Sequence, residues 1–149
     1  MRRLAVLLVT ALALAVGTAL PPAQAAGPET AYARQAFAAT NDARADAGLK
    51  ALRKNRCLQK FAKAQAKLMA QHEEMFHQEL GPILSRCGLS GVGENVAYGY
   101  ASGRSVVDDG WMNSEGHRAN ILGSYRLMAI GARKGHDGRW YVAQVFGSK

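Results

Sequence analysis

From Thr30 to Ala47 the chain is rich in alanine, and Ala33, Phe37, Thr40, Arg44 and Ala47 recur at steps of three and four residues. Residues so spaced share one face of a 3.6-residue turn, so an amphipathic helix is predicted here, with Gly48 as its C-terminal cap. A second helix is predicted from the next apolar set. Leu58, Phe61, Ala62, Gln65, Ala66 and Met69 fall on one face, with Lys60, Lys63 and Lys67 opposite. Asn55 precedes it with a side-chain oxygen suited to an N-cap. Between Met75 and Gly93, the residues Gly81, Pro82, Gly88, Gly91 and Gly93 interrupt both helical and strand periods. That segment is predicted to be loop, with one short helical turn before Cys87. Beyond Tyr100, Ser102 or Ser105 can cap a helix running through Val106, Val107 and Trp111.

Near the end of the chain the period changes. Leu127 to Arg133 and Arg139 to Phe146 are β-favouring, and Trp140, Val142 and, less cleanly, Gln144 and Phe146 alternate with Tyr141, Ala143 and Val145. His136-Asp137-Gly138 between them supplies the turn of a tight hairpin. Helices first and a hairpin last predict an α+β domain, helices packed on an antiparallel sheet.

The first 25 residues read differently. Arg2 and Arg3 precede an uncharged apolar run from Leu4 to Val16, followed by Pro21, Pro22 and the small-residue pattern Ala23-Gln24-Ala25. This is the order of a secretory signal peptide with cleavage after Ala25. The apolar run is shorter than the ~20 residues of a membrane span. Cleavage leaves 124 of the 149 residues, enough for one domain. Charged residues are 20% and hydrophobic ones 48%, and their patterning excludes disorder, a repeat array and an integral membrane protein.

Without Arg2 and Arg3, 17 basic residues face 11 acidic ones, a net charge of +6. Outside the cytoplasm the anionic partners of such a surface are envelope polymers and lipid headgroups. Nucleic acid is not expected, because only Lys50, Arg53, Lys54 and Arg56 cluster and no aromatic pattern interleaves them. Cys57 and Cys87 are the sole cysteines of the chain. In an exported protein they are expected to form a disulfide; thiolate metal ligation would need a closer cysteine pair.

Three residues on separate segments could carry chemistry: His77, Glu94 and His117. Histidines and carboxylates gathered in a cleft bind a divalent metal or relay protons. Each also has a plainer reading: His77 capping the second helix, Glu94 accepting backbone hydrogen bonds in a glycine turn, His117 at the surface. Two other patterns fail on geometry. His72 and His77 are five residues apart, about 140° around a helix, whereas the zinc-protease helix needs four. Ser114 and His117 lack a nucleophile elbow, and Ser114 is expected to cap the turn that carries His117.

Four motifs carry a resemblance. The segments Phe37 to Gly48, Gly93-Glu94-Asn95-Val96-Ala97, Trp111 to Leu122 and Gln144-Val145-Phe146 resemble the CAP or SCP domain family of cysteine-rich secretory proteins, antigen 5 and plant pathogenesis-related proteins, in its short bacterial form. They occur in order, so a domain is expected over residues 36–147, with 26–35 as a lead-in. The resemblance implies a three-layer α-β-α sandwich with a central antiparallel sheet. It also implies a cleft lined by two histidines and two acids, which in some relatives binds zinc or another divalent cation. His77 and His117 match the histidines, the expected metal ligands, and Glu94 the acid of Gly-Glu-Asn. Animal relatives carry the second acid where this chain has Ser114, which leaves Ser114, Glu115 and Asp109 as candidates for the fourth corner. No general reaction comes with the family. The expectation is therefore a secreted, monomeric binding domain with a His/Glu cleft and a divalent cation such as zinc. The alternatives are a metal- or His/Glu-dependent extracellular hydrolase and lipid binding.

Overall fold

The computed structural model describes residues 26–149, and the expected export signal lies outside them. Helix α1 (Pro28–Asp46) starts with a proline in its first turn, where a missing N–H costs no helical bond. Just past its end Gly48 adopts φ +71°, the left-handed conformation of a C-terminal cap. Its buried face is Tyr32, Ala36, Ala39, Thr40 and Arg44. Ala33 and Phe37 sit at the border of that face, because the small Ala36 and Ala39 let the helix lie closer to its neighbours. Strand β1 (Arg53–Lys54) is two residues long. The approach to it is held by Asn41, whose side chain accepts the Leu52 N–H at 2.8 Å and donates to the Leu52 carbonyl at 3.2 Å. Helix α2 (Arg56–His72) is capped by Asn55, which accepts the Leu58 N–H at 3.0 Å. It buries Leu58, Ala62, Gln65, Ala66 and Met69 as predicted, adds Ala70, and leaves Phe61 half-buried.

Helix α3 (Gly81–Arg86) is the predicted turn before Cys87. Cys57 and Cys87 are disulfide-bonded across a separation of 30 residues, tying the first turn of α2 to the end of α3. The last residues of the predicted loop, Gly91 to Gly93, are instead the start of a strand, β2 (Gly91–Tyr98), which sequence periodicity does not mark. Gly93 sits there because the Tyr125 hydroxyl and the Asn120 side chain occupy the space of a Cβ. A glycine serving close approach inside a strand looks, in sequence, like a glycine serving a turn.

Ser102 caps the next helix, exchanging hydrogen bonds with Ser105. That helix, α4 (Gly103–Ser105), widens into a π-helical segment (Val106–Gly110) and tightens into a 3-10 turn (Trp111–Asn113) before α5 (Glu115–Ile121). Strands β3 (Leu127–Lys134) and β4 (Trp140–Ser148) form the predicted hairpin, but its connection runs from Gly135 to Arg139 rather than being a two-residue turn. Gly138, at φ +78°, donates to the Gly135 carbonyl at 3.1 Å.

The strand order is β1-β3-β4-β2, with β4 antiparallel to both neighbours and β1 parallel to β3. The sheet is therefore mixed at one edge rather than wholly antiparallel. Helices α1, α4 and α5 cover one face and α2 and α3 the other, a three-layer α-β-α sandwich. The imperfect alternation along β4 now has a cause: both faces are buried. Val142 and Phe146 join the cluster under α1, while Tyr141, Ala143 and Val145 pack on the α2 side. Among the described residues no helix is long and apolar enough to cross a membrane.

Candidate functional site

The site is built where β2 meets α5 and the segment after α2. Helix α2 stops at Glu73, which takes the left-handed conformation at φ 54°. The Gln65 amide then holds the Phe76 carbonyl, which delivers His77 and Gln78 above β2. The Glu94 side chain is 1% exposed there, yet fully satisfied. Its Oε2 accepts from His77 Nδ1 at 2.8 Å and from the Gln78 N–H at 3.2 Å, and Oε1 accepts from Gln78 Nε2 at 2.6 Å. An ionised carboxylate only accepts, so the proton of the His77 ring sits on Nδ1. The Nε2 lone pair is left free on a side chain that is 63% exposed.

His117 comes from the first turn of α5. Its Nδ1 lies 2.8 Å from Ser114 Oγ. Ser114 is the N-cap residue of this helix as expected, its carbonyl accepting the Arg118 N–H at 2.8 Å, but its hydroxyl makes no cap bond and lies against the imidazole instead. Burial lowers the His117 pKa below the ordinary histidine value, and the neighbouring His77 lowers it further.

Beneath them runs a buried polar chain. Asn120 Nδ2 donates to the Glu94 carbonyl at 3.1 Å and to Asn95 Oδ1 at 2.9 Å. Asn95 Nδ2 donates to the His117 carbonyl at 3.1 Å and to Gln144 Oε1 at 3.0 Å. Gln144 Nε2 donates to Thr40 Oγ1 at 2.8 Å, and Thr40 donates to the Ala36 carbonyl. No buried side-chain polar atom among the described residues lacks a partner. The backbone under both site residues is therefore anchored through the sheet to α1. Beside His117 opens a cleft of about 520 Å³, with Met75, Tyr98, Tyr100, Trp111 and Ser114 among its lining. Trp111 is buried and donates to the Val96 carbonyl. Tyr98 is exposed at the cleft, its ring stacked on Tyr141 with centroids 5.9 Å apart.

His77 is bonded to Glu94 and lies near enough to His117 to lower its pKa, whereas the cleft itself is lined by His117 and not by His77 or Glu94. Glu115 and Asp109 are exposed and do not line the cleft, whereas Ser114 does. Among the described residues no group of three or more His, Cys, Asp or Glu is gathered to hold a metal ion. The atoms that could hold a cation here are His77 Nε2 and, where Ser114 accepts from Nδ1, His117 Nε2, with Glu94 orienting the His77 ring. Sequence patterning does not mark Gln78 or Asn120 for this site, and it places Thr40 only on the buried face of α1. Their one signal is Gln144, a polar residue in a phase reserved for core.

The sequence matches the cysteine-rich secretory protein family, CAP, over residues 37–146. It is 36% identical over 100 residues to the uncharacterized protein YkwD of Bacillus subtilis, covering 62% of this chain and 38% of that protein's length. Among solved structures it resembles an extracellular protein containing an SCP domain from Bacillus anthracis (TM-score 0.70, 26% identity, 85% of this chain and 45% of that one). A cysteine-rich secretory protein from Staphylococcus aureus (0.69, 24%, 82% and 40%) and an outer surface protein of Borrelia burgdorferi (0.66, 19%, 76% and 89%) share the fold. With the motifs, the sandwich and a match across most of its described length in agreement, the chain belongs to the cysteine-rich secretory protein family, CAP.

Proposed function

We propose that the chain is a secreted CAP domain that binds a ligand in the cleft beside His77 and His117, with a divalent cation such as zinc held by the two Nε2 nitrogens. The observation that carries this reading is the pairing of His77 Nδ1 with Glu94, which leaves His77 Nε2 as an acceptor, together with Ser114 Oγ at 2.8 Å from His117 Nδ1, where a hydroxyl accepting from Nδ1 leaves the second Nε2 as an acceptor too. A metal-binding histidine commonly has its second nitrogen fixed in this way. With two protein ligands the remaining positions fall to water or to the ligand itself, so the affinity is modest. The cation would supply a point of attachment for an anionic or carbonyl oxygen. Export is supported by the order of charges, apolar run and small residues in residues 1–25, and by the extracellular and outer-surface character of the structural neighbours.

Calorimetric titration of the folded protein with zinc chloride at pH 7.5 tests the reading. Binding is expected to be lost in His77→Ala and in His117→Ala, kept in His72→Ala and His136→Ala, and weakened about tenfold to a hundredfold in Glu94→Gln. It should fall as pH drops below ~6.5, where imidazole protonates. Heat no greater than dilution, or undiminished binding by His117→Ala, overturns the cation.

A further inference from the structure

Strand β1 pairs with β3 only at Leu127 and Met128; at Asn55 the chain turns away into α2. From Ala129 to Lys134 the outer edge of β3 has no strand partner among the described residues. Such an edge presents open backbone groups. The Ile130 carbonyl on this edge is held by Gln59 Nε2 at 2.7 Å, the place a neighbouring strand's N–H would take on displacing that side chain. Backbone groups two residues apart point the same way, so Ala132 offers its N–H and carbonyl to this edge as well.

A groove of about 470 Å³ follows the edge between α1 and α2. Its two walls differ in character. Helix α1 contributes Ala33 and Phe37, and α2 contributes Lys63 and Lys67. Arg34 and Lys54 extend the positive rim, and Lys54 Nζ lies 5.2 Å from the Phe37 ring centroid. None of these four cations has an acidic partner among the described residues, and the acid at the groove, Glu29, is engaged by Arg133 at 3.5 Å. The groove lies at the opposite edge of the sheet from the Glu94 cleft.

We propose that this groove receives an acidic, extended peptide segment of a partner protein as an added strand on β3, continuing the row that β1 begins. Side chains of a strand alternate between faces, so one set would meet Lys63 and Lys67 while the other packs on Ala33 and Phe37. The ligand is thus an alternation of acidic and apolar residues. A polyanion without backbone N–H groups would answer the charge but neither the open edge nor the apolar wall.

Fluorescence anisotropy with a labelled hexapeptide alternating glutamate and valine tests this on the whole protein. Saturable binding is expected. It should be lost when alternate amides of the peptide are N-methylated, and weakened about tenfold or more by the double substitution Lys63→Glu and Lys67→Glu. Both lysines are exposed, so folding of that variant can be verified by circular dichroism. His117→Ala should leave the peptide affinity unchanged. No binding, equal binding of the N-methylated peptide, or binding of polyphosphate of equal charge as tightly as the peptide overturns the proposal.

Discussion

Glu94 is satisfied by three donors to its side chain and one to its carbonyl, which makes it the residue through which His77, Gln78 and Asn120 are positioned. Its neighbour in function, His117, carries a testable acid-base consequence. Burial and His77 lower its folded pKa, so the unfolded chain binds the proton more readily than the folded one. The neutral ring therefore contributes no penalty above the unfolded value near ~6.5, and stability is lost as pH falls below it through the lowered folded value. In metal-free protein the melting temperature of His117→Gln is expected to fall less between pH 7 and pH 5 than that of the wild type. Parallel profiles for the two would show that His117 is not the titrating group.

At the scale of elements, α1, α2 and the β3–β4 hairpin were legible because each leaves a periodic trace: Leu58 to Met69 on one helical face, Asn55 in front, Asp137-Gly138 in the turn. Strand β2 was not, since Gly91 and Gly93 read as punctuation while their purpose is contact made by distant residues. Residues Gln78 and Asn120 were hidden for the same reason, since nothing local marks a side chain whose partners lie 16 and 25 residues away. Cys57 and Cys87, by contrast, needed only their number and the export signal. Gly131 shows how strictly such contacts hold. The backbone of α2 at Ala62 lies against it where a Cβ would be. Gly131→Ala must push α2 off the sheet and is expected to destabilise the fold by about 1 to 3 kcal/mol in urea denaturation, more than Gly116→Ala, whose added Cβ meets nothing. Equal midpoints for the two variants would contradict this packing.

For the molecule as a whole, the disulfide closes a 30-residue separation that includes most of α2, the His77 segment and α3. Loop closure of that length restricts the unfolded chain by about 3 to 4 kcal/mol. Replacing both cysteines with alanine is expected to lower unfolding free energy by a similar amount, and an unchanged midpoint would contradict it. A separate consequence follows from the position of β4. The strand between β3 and β2 is the last in sequence, so until residues 140–148 have been synthesised β2 has no strand to pair with and β3 has only the two residues of β1. Long-range pairing of this kind forms late. For a chain exported as proposed, that order means the sheet cannot be completed until β4 has crossed the membrane.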